Sequence, residues 1–191
     1  MSPDATAAQA GRPMRADARR NRDRILAAAE TAIAEHGAEA SLEEIARHAG
    51  VGSATLHRHF PSRQSLLEAV FSGRVEALCA KAGELGAQLD PAPALVAWLR
   101  AVGTHAAANR GLAASLLGSD PATGANCHTM IVNAGGELLE RARRAHAVRE
   151  GVAIVDLLKL VSAISLATEQ EPGGAAEADR LLALAINGVL A

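Results

Sequence analysis

Aromatic residues are nearly absent: of 191 residues, none is Tyr, two are Phe (Phe60, Phe71) and one is Trp (Trp98). Sheets lean on aromatic and β-branched side chains, so this scarcity argues against a strand-based fold. Long apolar runs are missing too. None reaches the ~18 to 20 residues that a bilayer span requires, and the leading MSPDATAAQAGRPMRADARR has no apolar h-region for export. The chain is therefore expected to be soluble and cytoplasmic, without a membrane partner. The two cysteines, Cys79 and Cys127, then read as reduced, buried thiols rather than a disulfide framework. A redox pair is the alternative, and it would need their Cα atoms within ~7 Å. The marks of catalysis are also lacking: there is no Gly-rich strand-to-helix turn, no Cys-x-x-Cys and no His-Glu-x-x-His. His57 and His59, two apart on one short helix, point to different faces and make a poor pair of metal ligands. No enzyme activity, metal or cofactor is expected.

What the chain has is alanine, 45 residues of it, the residue that loses least on entering a helix. An all-α fold follows. The length suits one ordinary domain or two small ones. The net charge of −2 conceals a cluster in which Arg12, Arg15, Arg19, Arg20, Arg22 and Arg24 face only Asp17 and Asp23. A positive segment in an otherwise acidic chain suits a localised anionic partner, nucleic acid first, although a solvated helix start would look similar.

Residues 1–16 are small, polar and interrupted by Pro and Gly, and read as a disordered basic tail. Ile25, Ala28, Ala29, Ala32 and Ile33 then recur at helical spacing up to His36-Gly37. Ser41-Leu42-Glu43-Glu44 forms a capping box for a second helix, which Gly50 stops. Ser53 can cap a third, which Phe60-Pro61 ends because proline disfavours an α conformation before it. Ser62 can cap a long fourth, and Asp90-Pro91-Ala92-Pro93 reads as a break. Amphipathic stretches follow over 94–108 and 111–117, then a loop over 118–126 and helices over 128–147, 152–168 and 178–190. This gives about nine helices and no strand.

Residues 41–60, SLEEIARHAGVGSATLHRHF, are the most specific part. Ala46 is small where two short helices would cross, Gly50 can take the positive φ of a tight turn, and Ile45, Ala49, Val51 and Leu56 can share a core. This is a helix-turn-helix pattern, although an ordinary αα-hairpin would also satisfy it. The ordered set Ile45-Ala46-Arg47-His48-Ala49-Gly50-Val51, Leu56-His57-Arg58-His59-Phe60 and Ser62-Arg63-Gln64-Ser65-Leu66-Leu67 resembles the DNA-binding domain of the TetR family of bacterial one-component repressors. The resemblance runs from about Asn21 to Leu78. Beyond it, Trp98-Leu99-Arg100, Arg110-Gly111-Leu112-Ala113 and the Leu-rich last helix resemble the regulatory domain of the SbtR-like subgroup. Three departures touch the DNA surface: His57 where Tyr is usual, Ala54 where Gly is frequent and Arg63 where Lys is usual.

The resemblance implies a DNA-binding domain over 17–72 and a regulatory, dimerising domain over 73–191. It places the third helix in the major groove of a palindromic operator, with Ser53, Ala54 and Thr55 near base edges and Arg58 suited to a guanine. Arg22, Ser41, His57, His59 and Arg63 would hold phosphates; His59 could instead pack beside Phe60. In the second half, Leu95, Trp98, Val102, His105 and Asn109 share a helix face that is apolar and ends in two polar groups, as a small-molecule site does. Core packing is the competing reading, for Trp98 above all. Asn133 is a further candidate, and an unidentified small-molecule effector that releases the repressor from its operator is the expected third partner. Apolar stripes on the last two helices imply a homodimer through them.

Overall fold

The computed structural model describes the backbone of residues 7–115, 121–169 and 171–190 and the side chains of 16–109, 124–169 and 171–190. The described chain is helical: α1 Ala7–His36, a 3-10 turn Gly37–Glu39, α2 Leu42–His48, α3 Ser53–His59, α4 Arg63–Gln88, α5 Pro91–Ser115, α6 Pro121–Arg144, α7 Ile154–Ala167 and α8 Gly174–Asn187. The only extended pairing among these residues is an isolated antiparallel bridge between Val148 and Leu190. Two compact units divide the chain, residues 1–70 and 71–191.

Three expectations are corrected. Residues 7–16, read as tail, are helical and extend α1, consistent with the alanines at 7, 8, 10 and 16; residues 1–6 lie outside the described residues. The stretches 94–108 and 111–117 are one helix as far as Ser115, so α-helices number eight among the described residues rather than nine. A lone Gly111 costs only about 1 kcal/mol of helix propensity, too little to break a run flanked by alanines. Finally, Pro91 and Pro121 start helices instead of sitting in loops. The first helical position needs no N–H and favours the φ that proline already has.

In the N-terminal unit the turn between α2 and α3 closes as a Schellman motif. Gly50 takes a φ of 64°, its N–H reaches the Arg47 carbonyl at 3.1 Å and the Val51 N–H reaches that of Ala46 at 3.0 Å. Ser41 caps α2 by accepting from the Glu44 N–H at 3.4 Å. α3 is entered differently from the expectation: Gly52 occupies the cap position and Ser53 is already helical. Ser62 and Ser65 cap α4 reciprocally, each hydroxyl accepting from the other's backbone N–H at 3.1 and 3.2 Å. Ile25, Ala29, Ile45, Ala46, Leu56 and Phe60 form the interior.

The C-terminal unit is built around Trp98, whose side chain has no exposed surface. Its indole Nε1–H donates to the Leu78 carbonyl at 3.0 Å. Gly135 on α6 faces the ring: a Cβ there would lie 2.5 Å from Trp98 Cζ3 and 2.7 Å from Ile154 Cδ1, whereas a Cβ on Gly136 would meet nothing within 4 Å. The two neighbouring glycines thus make opposite predictions. Gly135→Ala should destabilise by about 1 to 3 kcal/mol through overpacking, and Gly136→Ala should stabilise by up to about 1 kcal/mol through helix propensity. Denaturant unfolding of the two variants checks both signs.

Candidate nucleic-acid interface and effector cavity

α3 has one buried anchor, Leu56, and turns Ser53, Ala54, His57 and Arg58 to solvent, with Thr55 half-buried. Arg58 lies back along its own helix, donating from Nη2 to Thr55 Oγ1 at 3.0 Å and from Nε to the Ala54 carbonyl at 3.3 Å. Arg22 is exposed, and its guanidinium stands 5.5 Å from the centroid of Phe60, the residue that ends α3. This cation–π contact fixes a positive charge beside the short helix. His59 is half-buried with its ring 6.5 Å from that of Phe60, so it belongs partly to the packing. Arg63 differs most from the expectation. One of its guanidinium nitrogens donates to the carbonyls of Ala38 (2.9 Å) and Ala40 (2.6 Å), strapping the first turn of α4 to the segment before α2.

In the C-terminal unit a cavity of about 650 Å³ opens among Phe71, Val102, His105, Asn109, His128, Ile131, Val155, Leu158, Lys159, Ser162 and Leu166. Its polar end is organised by Asn109, only 4% exposed. Arg74 Nη1 donates to Asn109 Oδ1 at 2.5 Å, and Asn109 Nδ2 donates to the His105 carbonyl at 2.8 Å and lies 3.1 Å from His105 Nδ1. Because a guanidinium only donates, the amide oxygen must face Arg74 and the amide NH₂ must face His105. His105 Nδ1 is then an acceptor, and the neutral ring carries its proton on Nε2. Phe71 packs beside this ring, centroids 6.1 Å apart. A second cavity of about 700 Å³, between α5, α7 and α8, includes Arg100, Glu169, Glu171 and Asp179.

Residues 25–70 match the family of bacterial regulatory proteins of the tetR type, and residues 90–191 match the C-terminal domain of SbtR-like transcriptional regulators. A TetR transcriptional regulator from Streptomyces coelicolor is 37% identical and superposes with a TM-score of 0.76, covering 88% of this chain and 98% of its own. A second, from Mycobacterium vanbaalenii, is 32% identical with a TM-score of 0.73, covering 94% of this chain and 100% of its own. The chain belongs to the TetR family. No curated protein sequence matches it. As a TetR-family transcriptional regulator it has an N-terminal helix-turn-helix DNA-binding domain and a C-terminal helical domain, in a family whose members are typically not enzymes. Among the described residues no helix is long and apolar enough to cross a membrane.

Of the effector residues expected from the sequence, Val102, His105 and Asn109 line the first cavity together. Trp98 and Asn133 do not. Trp98 is enclosed because the largest side chain available on an alanine-rich face is drawn to the centre of the core, and Asn133 is exposed on α6. Sequence reasoning missed Arg74 and Lys159. Arg74 did carry a signal: it interrupts the helical stripe Leu67, Val70, Phe71, Leu78, and a charge on an apolar face has a buried partner or a function. The cysteines are free, Cys127 buried and Cys79 half-buried. Burial first, then electrostatic interaction with Cys127 and Glu76, push the Cys79 thiol above its ordinary value, which disfavours the reactive thiolate.

Burial, and secondarily the Arg74 guanidinium, hold the His105 pKa below its ordinary 6.5. The fold therefore favours the neutral ring. Stability from this preference is present above about pH 6.5 and is lost as pH falls through the lowered folded-state value. Wild type should lose more melting temperature than His105→Phe between pH 7.5 and 5.5, so that the difference between them shifts in favour of the variant on acidification. A gap that is constant across this range would remove His105 from the titrating groups.

Proposed function

We propose that this TetR-family regulator is a repressor that binds a palindromic operator as a two-fold dimer and is released by a small molecule held in the cavity beside His105. The observation that carries the DNA half of this reading is the exposed polar face of α3, aimed by a short anchored turn and flanked by the fixed charge of Arg22. In this reading residues 17–72 are the DNA-binding domain and 73–191 the regulatory and dimerising domain. Ser53, Ala54 and Thr55 approach base edges, and Arg58 leaves Thr55 to take a guanine. Ser41, His57, His59 and Arg22 meet phosphates. Arg63 contributes through the guanidinium N–H groups not given to Ala38 and Ala40. Operator binding places the protein with the bacterial chromosome, in the cytoplasm.

The dimer is supported by apolar surface on the last two helices: Leu184 is 61% exposed on α8, and Leu160 is also exposed on α7, with Ala163 and Ala167 beside it. Small neighbours let helices approach closely, and a two-fold axis would give two recognition helices for a palindromic site. Selection of bound DNA from a random pool, followed by sequencing, tests the whole reading: a palindromic motif is expected, and enrichment of no motif overturns it.

Two variants test its parts. Arg58→Ala should cost about 1 to 3 kcal/mol at the selected operator and relax preference at one base pair. Equal weakening on operator and random DNA would make Arg58 a phosphate contact. Leu184→Glu should leave each subunit folded, since the side chain is exposed within it, yet yield monomers in sedimentation and lose operator binding. A dimeric Leu184→Glu protein would place the seam elsewhere.

A further inference from the structure

Both ends of the cavity beside His105 have a definite chemistry. Phe71, Val102, Ile131, Val155, Leu158 and Leu166 are its apolar walls. Its titratable lining consists of His105, His128 and Lys159, and no acidic side chain is among the described residues that line it. The other cavity has the opposite balance, with Glu169, Glu171 and Asp179 against a single Arg100 whose Nε already bonds Asp179 at 2.7 Å. The Asn109 amide adds direction to the charge. With its oxygen committed to Arg74 and its NH₂ to His105, it leaves His105 one uncommitted group, the Nε2–H, which can only donate. The site thus offers a donor and a cation to a ligand whose remainder must be apolar.

We propose that the cavity binds a monoanionic amphiphile, with a carboxylate on the His105 and Lys159 side and an aliphatic body against the apolar walls. The proposal rests on the reading of this cavity as the effector site, and it narrows the effector to one chemical class. A neutral alcohol of equal length could accept from His105 but would gain no charge attraction from Lys159. An alkylammonium would meet a donor and a like charge. A volume of about 650 Å³ holds a ligand body of medium chain length with room for branching. Burial first, and the Arg74 guanidinium second, favour the neutral ring of His105, so the ring meets a ligand as a hydrogen-bond donor rather than as a fixed charge.

Calorimetric titration of the full-length protein with decanoate, 1-decanol and decylammonium at pH 7.5 and low salt tests the class directly. Decanoate is expected to bind at least tenfold tighter than decanol, with decylammonium weakest. Lys159→Met alters an exposed side chain and should fold normally. It should reduce the preference for acid over alcohol at least threefold, as should His105→Phe. Alcohol binding as tightly as acid, amine binding tightest, no binding of any of the three, or a preference that survives in both variants would each overturn the proposal. The same decanoate is then added to a gel shift on the selected operator. Binding without release would uphold the ligand class and overturn the effector role on which repression was read.

Discussion

The indole of Trp98 is where the C-terminal unit is tied together. Its N–H closes on a carbonyl of α4, its ring lies against Gly135 of α6, and the first residue of α7 meets the same spot. A chain this rich in alanine has little bulk to fill the space between helices. It reaches native packing density by bringing backbones close and spending its single tryptophan at the junction. Replacing a fully buried aromatic of this size by alanine ordinarily costs about 3 to 5 kcal/mol, a large part of the stability of any domain. Gly135 is the other half of that arrangement, because the ring can approach α6 this closely only where no Cβ stands.

The same face of α5 that begins in this core ends in the cavity. Leu95 and Trp98 are enclosed, Val102 borders both regions, and His105 and Asn109 one and two turns later line the cavity, Asn109 remaining buried. A single helical stripe therefore passes from the packed core to the cavity wall as its residues turn from apolar to polar. Enclosure raises the stakes at the polar end. A buried amide with an unmet donor or acceptor would cost about 1 to 3 kcal/mol, and Asn109 meets all of its groups through Arg74 and His105. That satisfaction is what assigns the tautomer of His105, so the core and the site share one accounting of hydrogen bonds.

Where the sequence was legible, the cause was local. Gly50 needed a positive φ and Ser62 a neighbouring N–H, both set within a few residues, and the helix-turn-helix was readable for that reason. Boundaries governed by competition were harder. Pro91 and Pro121 are breakers inside a helix and starters at its first turn, and only the register of the helix decides between those roles. Gly111 was a weak break in a strong run. Contacts between distant segments left the faintest trace: nothing near Arg63 indicates that its guanidinium will reach Ala38 and Ala40, 25 and 23 positions away. Trp98 was visible as important, yet a ligand wall and a core centre demand the same apolar spacing, and enclosure alone separates them.

Arg58 shows what an internal partner means for recognition. In the proposed complex its guanidinium exchanges the Thr55 hydroxyl and the Ala54 carbonyl for the two acceptors of a guanine. The exchange replaces two hydrogen bonds with two, so the net gain comes from charge assistance and exclusion of water rather than from the number of bonds. At a wrong base the side chain can return to Thr55, and no buried donor is left without an acceptor. Discrimination at that base pair is then limited to the difference between two satisfied states, smaller than the full desolvation penalty that a side chain without a fallback would impose. In that proposed complex, selectivity for an operator would consequently be shared with Ser53, Ala54 and Thr55 and doubled by a second subunit, which would make dimerisation part of specificity as well as of affinity.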